Sequence, residues 1–206
     1  MDMHRAVGLG FGIALSAALC GAAAEPAAPD NSGMPQYDSG NNLVFPADYR
    51  EWIFLTAGLD MAYAPEKQPS NGHLFENVFV PQWAYKAFLR TGTWPDKTIL
   101  VMERRTGATN VSINVQGAVQ TTEVQGFLVH VKDVKRFSDG GWMFFAYDAA
   151  NGPGKRPDDV KTACIACHQA HGAVDSTFVQ FYPTLLPIAT AHGTLSPSYV
   201  AETPKK

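Results

Sequence analysis

The chain has 206 residues, 46% of them hydrophobic and 17% charged, with a formal net charge of −3 at pH 7. That length suits one domain of average size plus appendages, and the composition is that of a globular protein. The faintly acidic balance and the lack of any basic run argue against nucleic acid or an anionic membrane surface as a partner.

In chain order, MDMHR ends on a positive charge, an apolar stretch without charge runs over residues 6–19, and three alanines precede Glu25. This is the layout of a secretory signal peptide with an A-x-A cleavage site, covering residues 1–24. The alternative is a membrane anchor, but the run is shorter than the ~20 residues a spanning helix needs. A lipid anchor on Cys20 is disfavoured by the bulky Leu19 before it. Export would place the mature protein in the periplasm, an oxidising compartment, free of the membrane. Of three cysteines, only Cys164 and Cys167 would remain.

Residues 25–42 are rich in Pro, Gly, Asn and Ser and are expected to form a flexible leader. The domain is expected over residues 43–195, with residues 196–206 as a tail. Asp48 is a candidate cap for a short helix through Tyr49 and Trp52. ENVFV (76–80) reads as a strand. Pro81 then opens a helix over 82–92, closed by Gly92. TILVMERR (98–105), VQGFLVHVKD (124–133) and WMFFAYD (142–148) read as further strands. From Asp158 to about His192 the pattern is mostly helical, with Gly172 as a stop and Asp175 as a second cap. The fold class is therefore α+β: mostly antiparallel sheet with helices, and the cysteine pair on a C-terminal helix.

That pair sits in 163-ACIACHQAH-171. C-x-x-C-H is the attachment signature of c-type haem. Two thiols two residues apart reach the two vinyl groups on one porphyrin edge, and the next residue, His168, is carried under the ring to ligate iron. Three rivals compete. A thioredoxin-like pair sits early in its fold, at a strand-to-helix junction, whereas this one comes late. A zinc site using Cys164, Cys167, His168 and His171 would need adjacent side chains on one tetrahedral ion. A Cys164–Cys167 disulfide would close a tiny loop and stabilise little. Covalent haem c, one per chain, uses both thiols and leaves none over.

With these residues in view, the chain resembles the cytochrome P-460 and cytochrome c′-beta family over roughly residues 43–189. The resemblance is carried by 49-YREW-52, 78-VFVPQWAYKAFLRTGTWPD-96, 98-TILVMER-104, 141-GWMFFAYD-148 and 164-CIACHQAHGAVDSTFVQFYP-183. It implies an antiparallel sheet with helices, a homodimer, a redox partner protein, and five-coordinate haem with His168 as its axial ligand. Members either oxidise hydroxylamine or bind small gases such as nitric oxide and carbon monoxide. The oxidising members carry a lysine that cross-links to the porphyrin. Here Met102 stands at that position, followed by Glu103, and a thioether has no N–H with which to make the same bond. The gas-binding function is therefore the expectation. Hydroxylamine oxidation and a six-coordinate electron carrier are the alternatives.

Met102 has three readings: a residue lining the open face of the haem, a soft sixth ligand to its iron, and a flexible core filler. Lys97, five residues earlier, would lie on the opposite strand face from Met102. Glu103 is expected to point away from Met102 by strand alternation. His171 shares a helix face with His168 and is expected at the surface. His73 and His130 read as partly buried hydrogen-bonders, with entry into the pocket on the open face of the haem as the alternative, and His192 as solvated.

Overall fold

The structure is a computed structural model and describes residues 32–63, 72–138 and 140–203. The expected signal peptide and the first residues of the leader lie outside the described residues. A 3-10 turn at Tyr49–Glu51 leads into β1 (Ile53–Leu59) and β2 (His73–Val80). Helix α1 (Gln82–Thr91) crosses to β3 (Ile99–Thr109), which forms a long hairpin with β4 (Ala118–Lys132), followed by β5 (Trp142–Tyr147). The five strands form one antiparallel sheet in the order β1-β2-β3-β4-β5. A π-helical turn (Val160–Ile165) runs straight into α2 (Ala166–His171), followed by a 3-10 turn (Val179–Phe181), α3 (Leu186–His192) and α4 (Pro197–Glu202). None of the described helices is long and apolar enough to cross a membrane.

The α+β architecture agrees with the sequence pattern, and local chemistry explains most of its pieces. α1 starts after Pro81, which has no N–H to leave unpaired. It ends at Gly92, whose φ of 71° is open to glycine at little cost and whose N–H returns to Phe88 O at 2.8 Å. Ala84 and Phe88, one turn apart, are fully buried beneath it. Burying a side chain such as Phe88 contributes roughly 1.5–3 kcal/mol.

Strand β1 is absent from the periodicity of the sequence. A bulge between Phe54 and Thr56 shifts its register against β2, so buried positions do not alternate along it. β4 begins six residues earlier than its apolar alternation implies. Its first half, AVQTTEV, is mostly exposed and is held by backbone pairing to β3 rather than by burial.

Three local expectations are corrected. Asp48 makes no cap hydrogen bond, and its carboxylate accepts instead from Trp52 Nε1 at 3.2 Å and Ser32 Oγ at 2.8 Å. Asp175 caps no helix: it lies at φ 50° in a tight turn and takes the ammonium of Lys132. The stretch 196–202, expected as tail, forms α4, because Ser196 Oγ accepts from Tyr199 N at 3.2 Å and Pro197 occupies the first turn. Part of the expected flexible leader is also seated on the domain. Tyr37 pairs with Leu43 in a β-bridge and donates its hydroxyl to Asp133 at 3.3 Å.

The sheet divides two cores. Val101, Val129 and Phe145 lie side by side on one face, joined by Leu43, Phe45, Tyr49 and Phe127. Leu100 lies on the other face, with Val78, Val80, Trp94 and Trp142 packed against α1, α3 and the 172–185 segment.

Candidate haem site

The register of the second face builds the site. Thr56, Val78, Met102, Leu128 and Ala146 follow one another across the five strands in a single row. The neighbouring row carries Leu100, His130 and Phe144, and the row on the other side carries Gly58, Glu76 and Arg104. A cavity of about 240 Å³ opens above these rows. Its far wall is the helical segment, which contributes Cys164, Cys167 and His168, together with Phe178, Phe181 and Tyr182. Met102 and the C-x-x-C-H residues, 62 or more positions apart in sequence, thus face one pocket.

His168 is held from three sides. Phe178 stacks on its ring at 4.1 Å between centroids, while Phe144 at 4.6 Å and His130 at 5.0 Å meet it edge-on. Its Nδ1 lies 3.0 Å from the carbonyl oxygen of Ser176. A carbonyl only accepts, so Nδ1 carries the proton and Nε2 keeps its lone pair. Burial disfavours the imidazolium and lowers the pKa of His168 to about 4, the Ser176 carbonyl opposing in part. A neutral imidazole with its tautomer fixed by a backbone carbonyl is the form that ligates a metal.

Both cysteines are free thiols lining the cavity. Burial, then the charge of Asp159, raises the Cys164 thiol, which therefore stays protonated and uncharged at neutral pH. The π-helical turn that carries Cys164 ends where α2, carrying Cys167, begins, so the pair spans a change of helical pitch. No group of three or more His, Cys, Asp or Glu side chains among the described residues could share a metal ion, so nothing here supports the four-ligand zinc alternative.

Two pocket groups escaped the sequence reading. Glu76 lies in the row beside Met102; burial raises its carboxyl pKa, and Arg104, 3.7 Å away, only partly offsets this. Tyr63 stands at the mouth, its hydroxyl pushed up to about 12 by burial and then by Glu76. Neither belongs to a motif; only strand register could have brought Glu76 forward. His130, expected as an ordinary hydrogen-bonder, is 6% exposed and leaves its Nε2 without a partner at the cavity wall. The remaining candidates lie elsewhere. His73 pairs with Asp60 at 2.6 Å and His171 with Glu202 at 2.6 Å. Lys97 is bound to Asp133, away from the pocket. Glu103, as alternation demands, faces the opposite core, among Tyr49, Arg50 and Arg105.

Paired thiols, a neutral imidazole whose second nitrogen is already spoken for, and a largely apolar cavity beside them form a donor set that fits a porphyrin and its iron. The fold and site thus define a haem-binding cytochrome domain. Residues 46–179 match the family model described as Cytochrome P460, and the chain belongs to that family. No curated protein matches the chain.

Proposed function

We propose that the protein is an exported c-type monohaem cytochrome that binds small diatomic gases, nitric oxide or carbon monoxide, on the open face of its iron. Cys164 and Cys167 would hold the porphyrin through thioethers, and His168 Nε2 would ligate the iron. The carrying observation is the 3.0 Å contact between His168 Nδ1 and Ser176 O beside both free thiols. It leaves one imidazole nitrogen available on a residue that lines the same cavity as both thiols. Met102 and its neighbours Val78, Leu100 and Leu128 supply an apolar wall, which suits an uncharged ligand and excludes water. Export rests on the signal-like residues 1–24, and a homodimer and a redox partner rest on the family resemblance.

A second reading has one observation in its favour. Glu76 is a carboxyl group in a largely apolar pocket, able in its ionised form to take protons from a substrate such as hydroxylamine. Met102 leaves that reading without the lysine bond of the oxidising members.

The test is the absorption spectrum of the protein matured in an exporting host with haem-attachment machinery, read with and without carbon monoxide. Gas binding predicts rapid carbon monoxide uptake by the ferrous protein and no broad red-shifted Soret band. A spectrum unchanged by carbon monoxide would show a closed, six-coordinate iron. Turnover of hydroxylamine would establish the second reading.

A further inference from the structure

The carbonyl that engages His168 belongs to an unusual turn. Asp175 and Ser176 are consecutive non-glycine residues in the left-handed region, with φ of 50° and 56°. Such conformations are costly for non-glycine residues and persist only where the surroundings impose them. Here the surroundings do so from several sides. Val174 and Thr177 close the turn, with Thr177 N donating to Val174 O at 2.8 Å and Thr177 Oγ1 donating to the same oxygen at 2.6 Å. Trp94 Nε1, from the loop before β3, donates to Thr177 Oγ1 at 2.8 Å. Lys132, the last residue of β4, binds the Asp175 carboxylate and donates to Trp94 O at 2.8 Å, and Trp142 Nε1 lies 3.4 Å from the same carboxylate. Val174 and Thr177 are fully buried. Gly172 lets the segment fold back, since a Cβ there would meet His168 O at 2.5 Å and Thr177 N at 2.8 Å.

Asp175 caps no helix, and the Ser176 carbonyl of this turn meets His168 Nδ1 at 3.0 Å. We propose that the Val174–Thr177 turn, locked by Lys132 and Trp94, is a device that holds the axial imidazole of the haem and sets how strongly it donates to iron. A well-aimed carbonyl draws the Nδ1 proton, raises electron density on Nε2, and favours the ferric state; a carbonyl that drifts does the reverse. Lys132, Asp175 and Trp94 are positioning residues: they act on His168 through the turn. The inference rests on His168 being the iron ligand.

The experiment compares haem-loaded wild type with Lys132→Met, Asp175→Asn and Trp94→Phe. Asp175→Asn removes the charge yet keeps a side chain that tolerates left-handed backbone, so it covers the case in which Lys132→Met fails to fold. The readouts are the iron–histidine stretching band of the ferrous protein by resonance Raman and the reduction midpoint potential. We expect the band to move to lower frequency and the potential to rise in each variant at unchanged haem content, with Lys132→Arg returning part of both shifts. Variants that hold haem fully and leave band and potential at the wild-type values would overturn the proposal. So would an equal shift in Lys155→Met, which breaks only the exposed pair with Asp148. A wild-type protein without haem, or with haem but no iron–histidine band, would instead overturn the axial role of His168, so the two failures are distinguishable.

Discussion

Met102 and Glu103 are neighbours on β3 and serve opposite sides of the sheet. Met102 lines the pocket in front of Cys164 and Cys167, while Glu103 is 1% exposed in the other core, its Oε1 2.8 Å from Arg105 Nε. A single peptide unit thus separates the ligand pocket from the most buried charge network among the described residues. Because the two side chains face opposite sides of the sheet, separate substitutions read the pocket and the charge network.

Glu103→Ala takes the shared carboxylate from Tyr49, Arg50 and Arg105 and should cost about 3 kcal/mol of stability, the scale of breaking a buried ion pair. The haem spectrum should be unaffected. In wild type, burial pushes the Glu103 carboxyl up, but hydrogen bonds from Arg105 and Tyr49 outweigh it and hold it below the usual carboxylate range. A depressed pKa means that its stabilisation is present above the ordinary glutamate range and is lost as pH falls through the lowered value. Denaturant titrations in steps from neutral to acid pH should show this loss in wild type and a flatter profile in Glu103→Gln.

Met102→Ala should remove pocket wall, costing about 2 kcal/mol and altering carbon monoxide affinity and the ferrous spectrum. Identical spectra and carbon monoxide binding in the two proteins would take Met102 out of the haem pocket. Met102→Lys places an amine at the position that the family resemblance assigns to the cross-linking lysine, and a red-shifted Soret band in that variant would support that assignment.

Single substitutions of the thiols separate attachment from ligation. Cys164→Ser and Cys167→Ser should each leave one thioether, seen as a shifted ferrous haemochrome band, whereas the double variant should release its pigment on denaturation. His168→Gly should retain covalent haem, by mass, but lose the iron–histidine band and regain it with added imidazole.

Glu76 carries the opposite sign from Glu103. Its folded pKa is raised by burial, so the group costs stability above the raised value, and that cost is relieved as pH falls through it towards the ordinary carboxyl range. Glu76→Gln should therefore be more stable than wild type at neutral pH, with the advantage fading in mild acid. If Glu76 also takes protons from a bound substrate, hydroxylamine turnover should fall at least tenfold in the same variant.

Local spacing was enough to bring forward the candidate attachment motif. Cys164, Cys167 and His168 must lie within one or two helical turns to serve one porphyrin, so their relationship is written in five consecutive residues. α1, β3 and β5 were legible for the same reason, since period and punctuation are local. β1 was not, because the bulge at Phe54 and Thr56 breaks its alternation. α4 carried a signal, Ser196 followed by Pro197, but its position near the end of the chain disguised it.

The sequence alone determined the C-x-x-C-H motif expected to anchor a haem, the α+β class and the opposed facing of Met102 and Glu103. Tertiary structure decided what surrounds the anchor: Glu76 and His130 on the pocket wall, and the Ser176 carbonyl on Nδ1, held by Trp94 and Lys132 from 83 and 43 residues away. Strand register and turn locking depend on contacts between distant segments, and those exist only once the sheet has closed against the helical layer.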